Sequence, residues 1–106
     1  MVVAAVVLLS ACARSGSVFV LVQPPEVVDA QAPNGRRLLV RTDLHAWVEV
    51  GRFRSAESCE EARATRFHAA ADAARAAVGD AEAPKDLDVR RTVNARCVPA
   101  ADIAAP

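Results

Sequence analysis

The segment that most constrains this chain is Ser55 to Val78, an alanine-rich stretch that reads as one continuous helix. Ser55 suits the N-cap, where a hydroxyl accepts from an otherwise unpaired N–H of the first turn. Glu57, Glu60 and Glu61 follow, where the helix dipole favours negative charge, and Gly79 is a natural stop. At about 100° per residue, Ala56, Cys59, Phe67, Ala70, Ala74, Ala77 and Val78 share one stripe, and Glu57, Glu61, Asp72 and Arg75 lie opposite. Arg63 and Arg66 interrupt the apolar side and are expected at its rim. His68 is expected to be exposed and paired with Asp72 one turn on. Alanine forms helix readily but buries little area, so the core must be thin.

Such a helix needs a sheet to cover. Val18 to Val22 is a continuous apolar run of strand length, ended by Pro24-Pro25 because proline cannot extend a ladder. Val27 to Pro33 is irregular in pattern. Asn34-Gly35 signals a turn, with a short strand expected over Leu38 to Arg41. Ala46 to Phe53 reads as a strand with Trp47, Glu49, Gly51 and Phe53 on one face and Val48, Val50 and Arg52 on the other. Gly51 marks a bulge or a close approach. Asp80 to Asp88 reads as a polar loop containing Pro84. Thr92 to Val98 reads as a half-buried strand with Val93, Ala95 and Cys97 inward, and residues 101–106 as a frayed tail. The fold class expected is α+β: one long helix packed on a small three- to four-stranded, mostly antiparallel sheet, within one small domain over residues 18–100. The length of 106 residues suits one domain. Lys+Arg 13 balances Asp+Glu 13, so there is no basic excess of the kind a nucleic-acid partner requires.

Met1 to Ala13 is apolar apart from Ser10, and too short for a bilayer span, which takes roughly 20 residues. A short apolar core closed by small residues has the form of a secretory signal. Leu9-Ser10-Ala11-Cys12 resembles the lipobox of bacterial lipoproteins. The resemblance implies cleavage before Cys12 and a diacylglycerol on its thiol. Residues 1–11 would then be the signal peptide and 12–17 a tether. With Ala13 rather than an acidic residue after the lipid site, it implies an outer-membrane anchor facing the periplasm. No Lys or Arg precedes the apolar core, as would follow from a start codon upstream or from a weak signal.

Export carries a chain into an oxidising compartment, where thiols pair. With Cys12 lipidated, Cys59 and Cys97 remain, and one disulfide is expected between them. It would close a loop of about 39 residues, for which chain entropy gives on the order of 4 kcal/mol.

Signs of catalysis are weak. His68 lies nine residues after Cys59, on the opposite side of the same helix, and nothing in the spacing brings His45 to a thiol. Cys59, Cys97, His45 and His68 show no CxxC or HxxxH spacing, so no metal site is expected, and no cofactor either. Glycine-rich phosphate loops and serine elbows are lacking. Trp47 is expected chiefly in the core. Together with Arg52 and Arg54 it is the candidate ligand contact, an indole on which a sugar ring would stack.

The layout "VFVLVQPP", "LHAWVEVGRFRSAESCEEAR" and "ARCVPAAD" resembles a group of small, uncharacterised exported bacterial proteins. The shared marks fall on Pro24, Pro25, Trp47, Phe53, Ser55, Cys59 and Cys97. The resemblance implies the disulfide and a compact single domain, and no activity. "WVEVGRFRSAESCEEARA" is similar to the first strand and helix of the SPOR domain, which binds peptidoglycan glycan strands, with Val48, Val50, Gly51, Phe53 and Ser55 as the matching marks. Residues 79–106 are too few for the remainder of that fold. The functional expectation is a membrane-anchored periplasmic lipoprotein acting as a non-enzymatic structural or protein-interaction module. A SPOR-like glycan-binding module is the alternative. The partners implied are the membrane through the lipid, envelope proteins or peptidoglycan.

Overall fold

The computed structural model describes residues 18–32 and 35–103. The stretch that resembles a signal peptide, Cys12, the expected tether, Asn34 of the expected turn and the end of the tail from 104 lie outside the described residues.

Strand β1 (Phe19–Gln23) is the centre of a three-stranded antiparallel sheet, between β4 (Val48–Phe53) and β5 (Arg96–Pro99). Val20, Leu21 and Val22 are all buried. A strand paired on both edges and covered on both faces has no wet side, which is why this run is apolar throughout instead of alternating. Pro24, itself buried, ends it as expected.

Because β4 and β5 both run antiparallel to β1, they are parallel to each other and need a long crossover. Two helices supply it: α1 (Ala56–Ala76) and α2 (Glu82–Val93), giving a split β-α-β arrangement with β1 in the middle. The helices cover the face that carries Leu21, with Cys97 and Gly51 opposite it. On the other face Val20, Val22 and Val98 meet Trp47, with Leu44, Ala100 and Ile103 packed against them. The thin core is therefore two small cores, one on each side of a single strand.

Helix α1 begins as expected: the Ser55 hydroxyl accepts from the Ser58 N–H at 3.0 Å. It stops two residues short of Val78, which is exposed, as is Ala56 at the other end of the stripe. Asp72 pairs with Arg75, not with His68.

Four expectations require correction. The segment read as a polar loop at Asp80–Asp88 forms most of α2. Pro84 sits in the first helical turn, where its missing N–H costs nothing. The inner face of α2 is mixed, with buried Leu87 and Thr92 beside Asp88 and Arg91, so it shows no clean apolar stripe. Thr92 and Val93 belong to this helix, not to the last strand. Thr92 is buried because its hydroxyl donates to the Val89 carbonyl at 2.8 Å. Asn94 closes the helix by donating from Nδ2 to the Arg90 carbonyl.

The main sheet has three strands, within the expected number, but the strand expected over Leu38 to Arg41 lies instead at β3 (Arg36–Leu38), which pairs with β2 (Glu26–Val28) in a separate hairpin. Gly35 has φ +75° in its turn, a conformation glycine adopts without strain. Finally, residues 100–103 do not fray: Ala100–Asp102 make a 3₁₀ turn that seats Ile103 on the core. Among the described residues, no helix is long and apolar enough to cross a membrane.

Candidate functional site: a polar cleft between the two helices

Cys59 and Cys97 are joined in a disulfide, with Cα atoms 6.0 Å apart. It ties the first turn of α1 to β5, the last strand, and encloses nearly all of the two-helix crossover. Bonded sulfur is neither nucleophile nor metal ligand. Among the described residues, no group of three or more His, Cys, Asp or Glu could hold a metal ion. His45 is exposed in the 3₁₀ turn before β4, and His68 is exposed on α1 with its ring tilted against Phe67.

The candidate ligand contact at Trp47, Arg52 and Arg54 does not assemble into an open platform. Trp47 is only 7% exposed. Its Nε1–H donates to the Thr42 carbonyl at 3.0 Å, and the Arg96 guanidinium lies over the ring, 5.1 Å from its centroid. Arg52 is bound to Glu49 through both Nε and Nη2. This hydrogen-bonded pairing lowers the Glu49 carboxyl pKa and raises that of the guanidinium. Arg54 is exposed at the end of β4.

A concave feature among the described residues lies elsewhere, at the end of β1 distant from Phe19. There a cleft of 360 Å³ lies between α1 and α2 above Gln23. Gln23 forms its floor. Arg66, Ala69 and Ala70 of α1 make one wall, and Asp88, Arg91 and Thr92 of α2 make the other. Gln23 lies on the helix-facing side of β1 because it is two residues beyond Leu21. Its Oε1 is buried and has no hydrogen-bond partner.

The two walls differ in how their charges are committed. Arg91 is bound to Asp88 at 2.6 Å and to Glu26 of β2, and Glu26 in turn accepts from Arg36 at 2.6 Å. This chain of charges pins the hairpin to α2 and leaves Arg91 little freedom. Arg66 makes no ion pair among the described residues. It is one of the two arginines that the helical pattern placed on the apolar side of α1; the other, Arg63, pairs with Glu60.

A smaller hollow of 240 Å³ separates β3 from α2, with Leu38 and Leu87 among its lining residues and Arg36, Arg37 and Arg90 around them. Each of these arginines faces a carboxylate: Glu26, Asp29 and Asp86 respectively. The Asp29 carboxyl pKa is lowered, first by accepting the Gln31 N–H and then by Arg37. No protein-family model, curated protein or solved structure matches the chain.

Sequence reasoning missed the cleft because it depends on α2, which was read as a loop. Two signals were available: an arginine on the wrong side of α1, and a lone amide closing an otherwise apolar strand just before Pro24-Pro25.

Proposed function

We propose that this chain is an exported lipoprotein, anchored to an envelope membrane through Cys12, whose small stapled domain acts as a non-enzymatic structural or protein-interaction module. The observation that carries the reading is the Cys59–Cys97 disulfide. A structural disulfide belongs to an oxidising compartment, and a small domain with a thin core is the kind that depends on one. The pairing also leaves one cysteine over, and that cysteine stands at the last position of the lipobox-like Leu9-Ser10-Ala11-Cys12. An unpaired thiol in an exported protein calls for an explanation, and lipidation supplies it. The non-enzymatic part of the reading is supported by the commitments around the charged residues. The two domain sulfurs are bonded together, and Arg91 of α2 is tied to Asp88 and to Glu26 of β2 in ion pairs that brace the hairpin against the helix.

The test is the intact mass of protein extracted from membranes of a lipoprotein-processing bacterium. The reading requires a chain beginning at Cys12, carrying acyl adducts, and lighter by two hydrogens at the disulfide. A full-length chain recovered from cytosol with three titratable thiols would refute it.

A further inference from the structure

We infer that the cleft above Gln23 is a binding site for a small carboxylate with an N–H donor close beside it: a free amino acid, or the last residue of a peptide chain. The inference goes beyond the lipoprotein reading and does not depend on where the chain is anchored.

Three features of the cleft select this chemistry. Arg66 presents a guanidinium with no carboxylate partner among the described residues, and guanidinium binds carboxylate through two parallel hydrogen bonds. Across the cleft, Arg91 is neutralised by Asp88 and Glu26, so a ligand carboxylate is drawn to the α1 wall and turned away from Asp88. At the floor, the Gln23 amide oxygen lacks a donor. Buried acceptors almost always have one, and a small turn of this amide toward an entering N–H would supply it. A simple anion would leave the amide oxygen unsatisfied, and a simple cation would leave Arg66 idle. Carboxylate and N–H together answer both. Ala69 and Ala70 present only methyl groups on the α1 wall, which leaves room for a small side chain. The volume of 360 Å³ lies at the small end of ligand sites, consistent with one or two residues.

The experiment is a titration of the full oxidised chain followed by amide NMR. The probes are acetyl-alanyl-alanine, the same peptide with its C-terminus amidated, and free alanine. Acetyl-alanyl-alanine or alanine should shift the backbone signals of Ala69, Ala70 and Thr92 and the side-chain amide of Gln23, saturating near 10 mM for a Kd of about 1 mM. The amidated peptide should bind about tenfold more weakly or not at all, and Arg66→Gln should weaken the acid by a similar factor. Arg66 is exposed, so this variant keeps the fold. Binding by the acetylated peptide alone assigns peptide termini as the source; binding by alanine assigns free amino acids. Absence of shifts from either acid at about 10 mM would overturn the inference. So would equal binding of acid and amide, or unchanged binding by Arg66→Gln. A negative titration leaves the lipid anchor standing, and a missing anchor leaves the titration interpretable.

Discussion

Arg52 and Glu49 meet side by side on β4, with Nε 2.7 Å from the carboxylate, although residues three apart on a regular strand point to opposite faces. A bulge makes this possible. Leu21 is opposite Gly51 and Val22 is opposite Glu49, so Val50 is an extra residue in β4. The extra residue returns Glu49 to the face of Arg52. Beyond the bulge Gly51 leaves room for the Phe53 ring: a Cβ there would sit 3.0 Å from two of its ring carbons.

The pair gives a pH signature. Because Arg52 lowers the Glu49 pKa in the fold, the contribution is present above the carboxyl's unfolded pKa and is lost as pH falls through the lower folded value. Carboxyl-resolved NMR should show Glu49 titrating below the ordinary glutamate range, and Arg52→Ala should return it to that range. Asp29 should also titrate low, but should remain partly depressed in Arg37→Ala because the Gln31 N–H persists.

Removing the disulfide should be among the most damaging small changes. Cys59→Ala with Cys97→Ala reopens a loop of sequence separation 38, and should lower stability by about 4 kcal/mol on chain-entropy grounds. Urea unfolding of the double variant against the oxidised parent measures this. A difference under about 1 kcal/mol would mean that the helices hold β5 in place without it.

Trp47 should behave as core. Its emission should be blue-shifted in the fold and poorly quenched by acrylamide, since the indole is buried and its N–H is engaged by Thr42. Trp47→Ala should cost about 3–5 kcal/mol, and Trp47→Phe less, by roughly the value of one hydrogen bond. Strong quenching in the native state would contradict the packing of Val20, Val22 and Val98 around it.

Arg91 should hold the β2–β3 hairpin. Its side chain is 21% exposed and joins Asp88 to Glu26 across the α2–hairpin boundary. Arg91→Met should cost about 1–2 kcal/mol and raise amide exchange in β2 and β3 more than in β1. Uniform loss of protection across both sheets would mean that the hairpin and core unfold as one unit.

The elements legible in the sequence are those whose signal is local or parity-based. The Ser55 cap and the acidic first turns mark the start of α1 because helix ends are satisfied by neighbouring residues, whereas its end at Ala76, capped by Ala77, comes before the expected Gly79 stop. The uninterrupted β1 run announces a strand without a wet face. The reading of Cys12 as a lipid site leaves two cysteines, and the bridge expected of them is present. Other elements were illegible because their residues answer to distant partners. Leu87, Asp88, Arg91 and Thr92 form one face of α2 only when α1, Glu26 and Gln23 are in place, and their mixed polarity reads as loop without them. Likewise β2 and β3 are three-residue strands whose charged residues pair across the hairpin, leaving no apolar period to detect.

By itself, then, the sequence determined the long helix and the central strand, since each follows from backbone propensity and capping, and it pointed to the Cys59–Cys97 pair on the reading that Cys12 carries a lipid. Only the tertiary structure decided that a second helix completes the crossover, that Val50 is the extra residue of β4, and that Arg66 and Gln23 face one cleft. The physical reason is that these features depend on which groups meet across the fold, and such meetings leave no periodic trace along the chain.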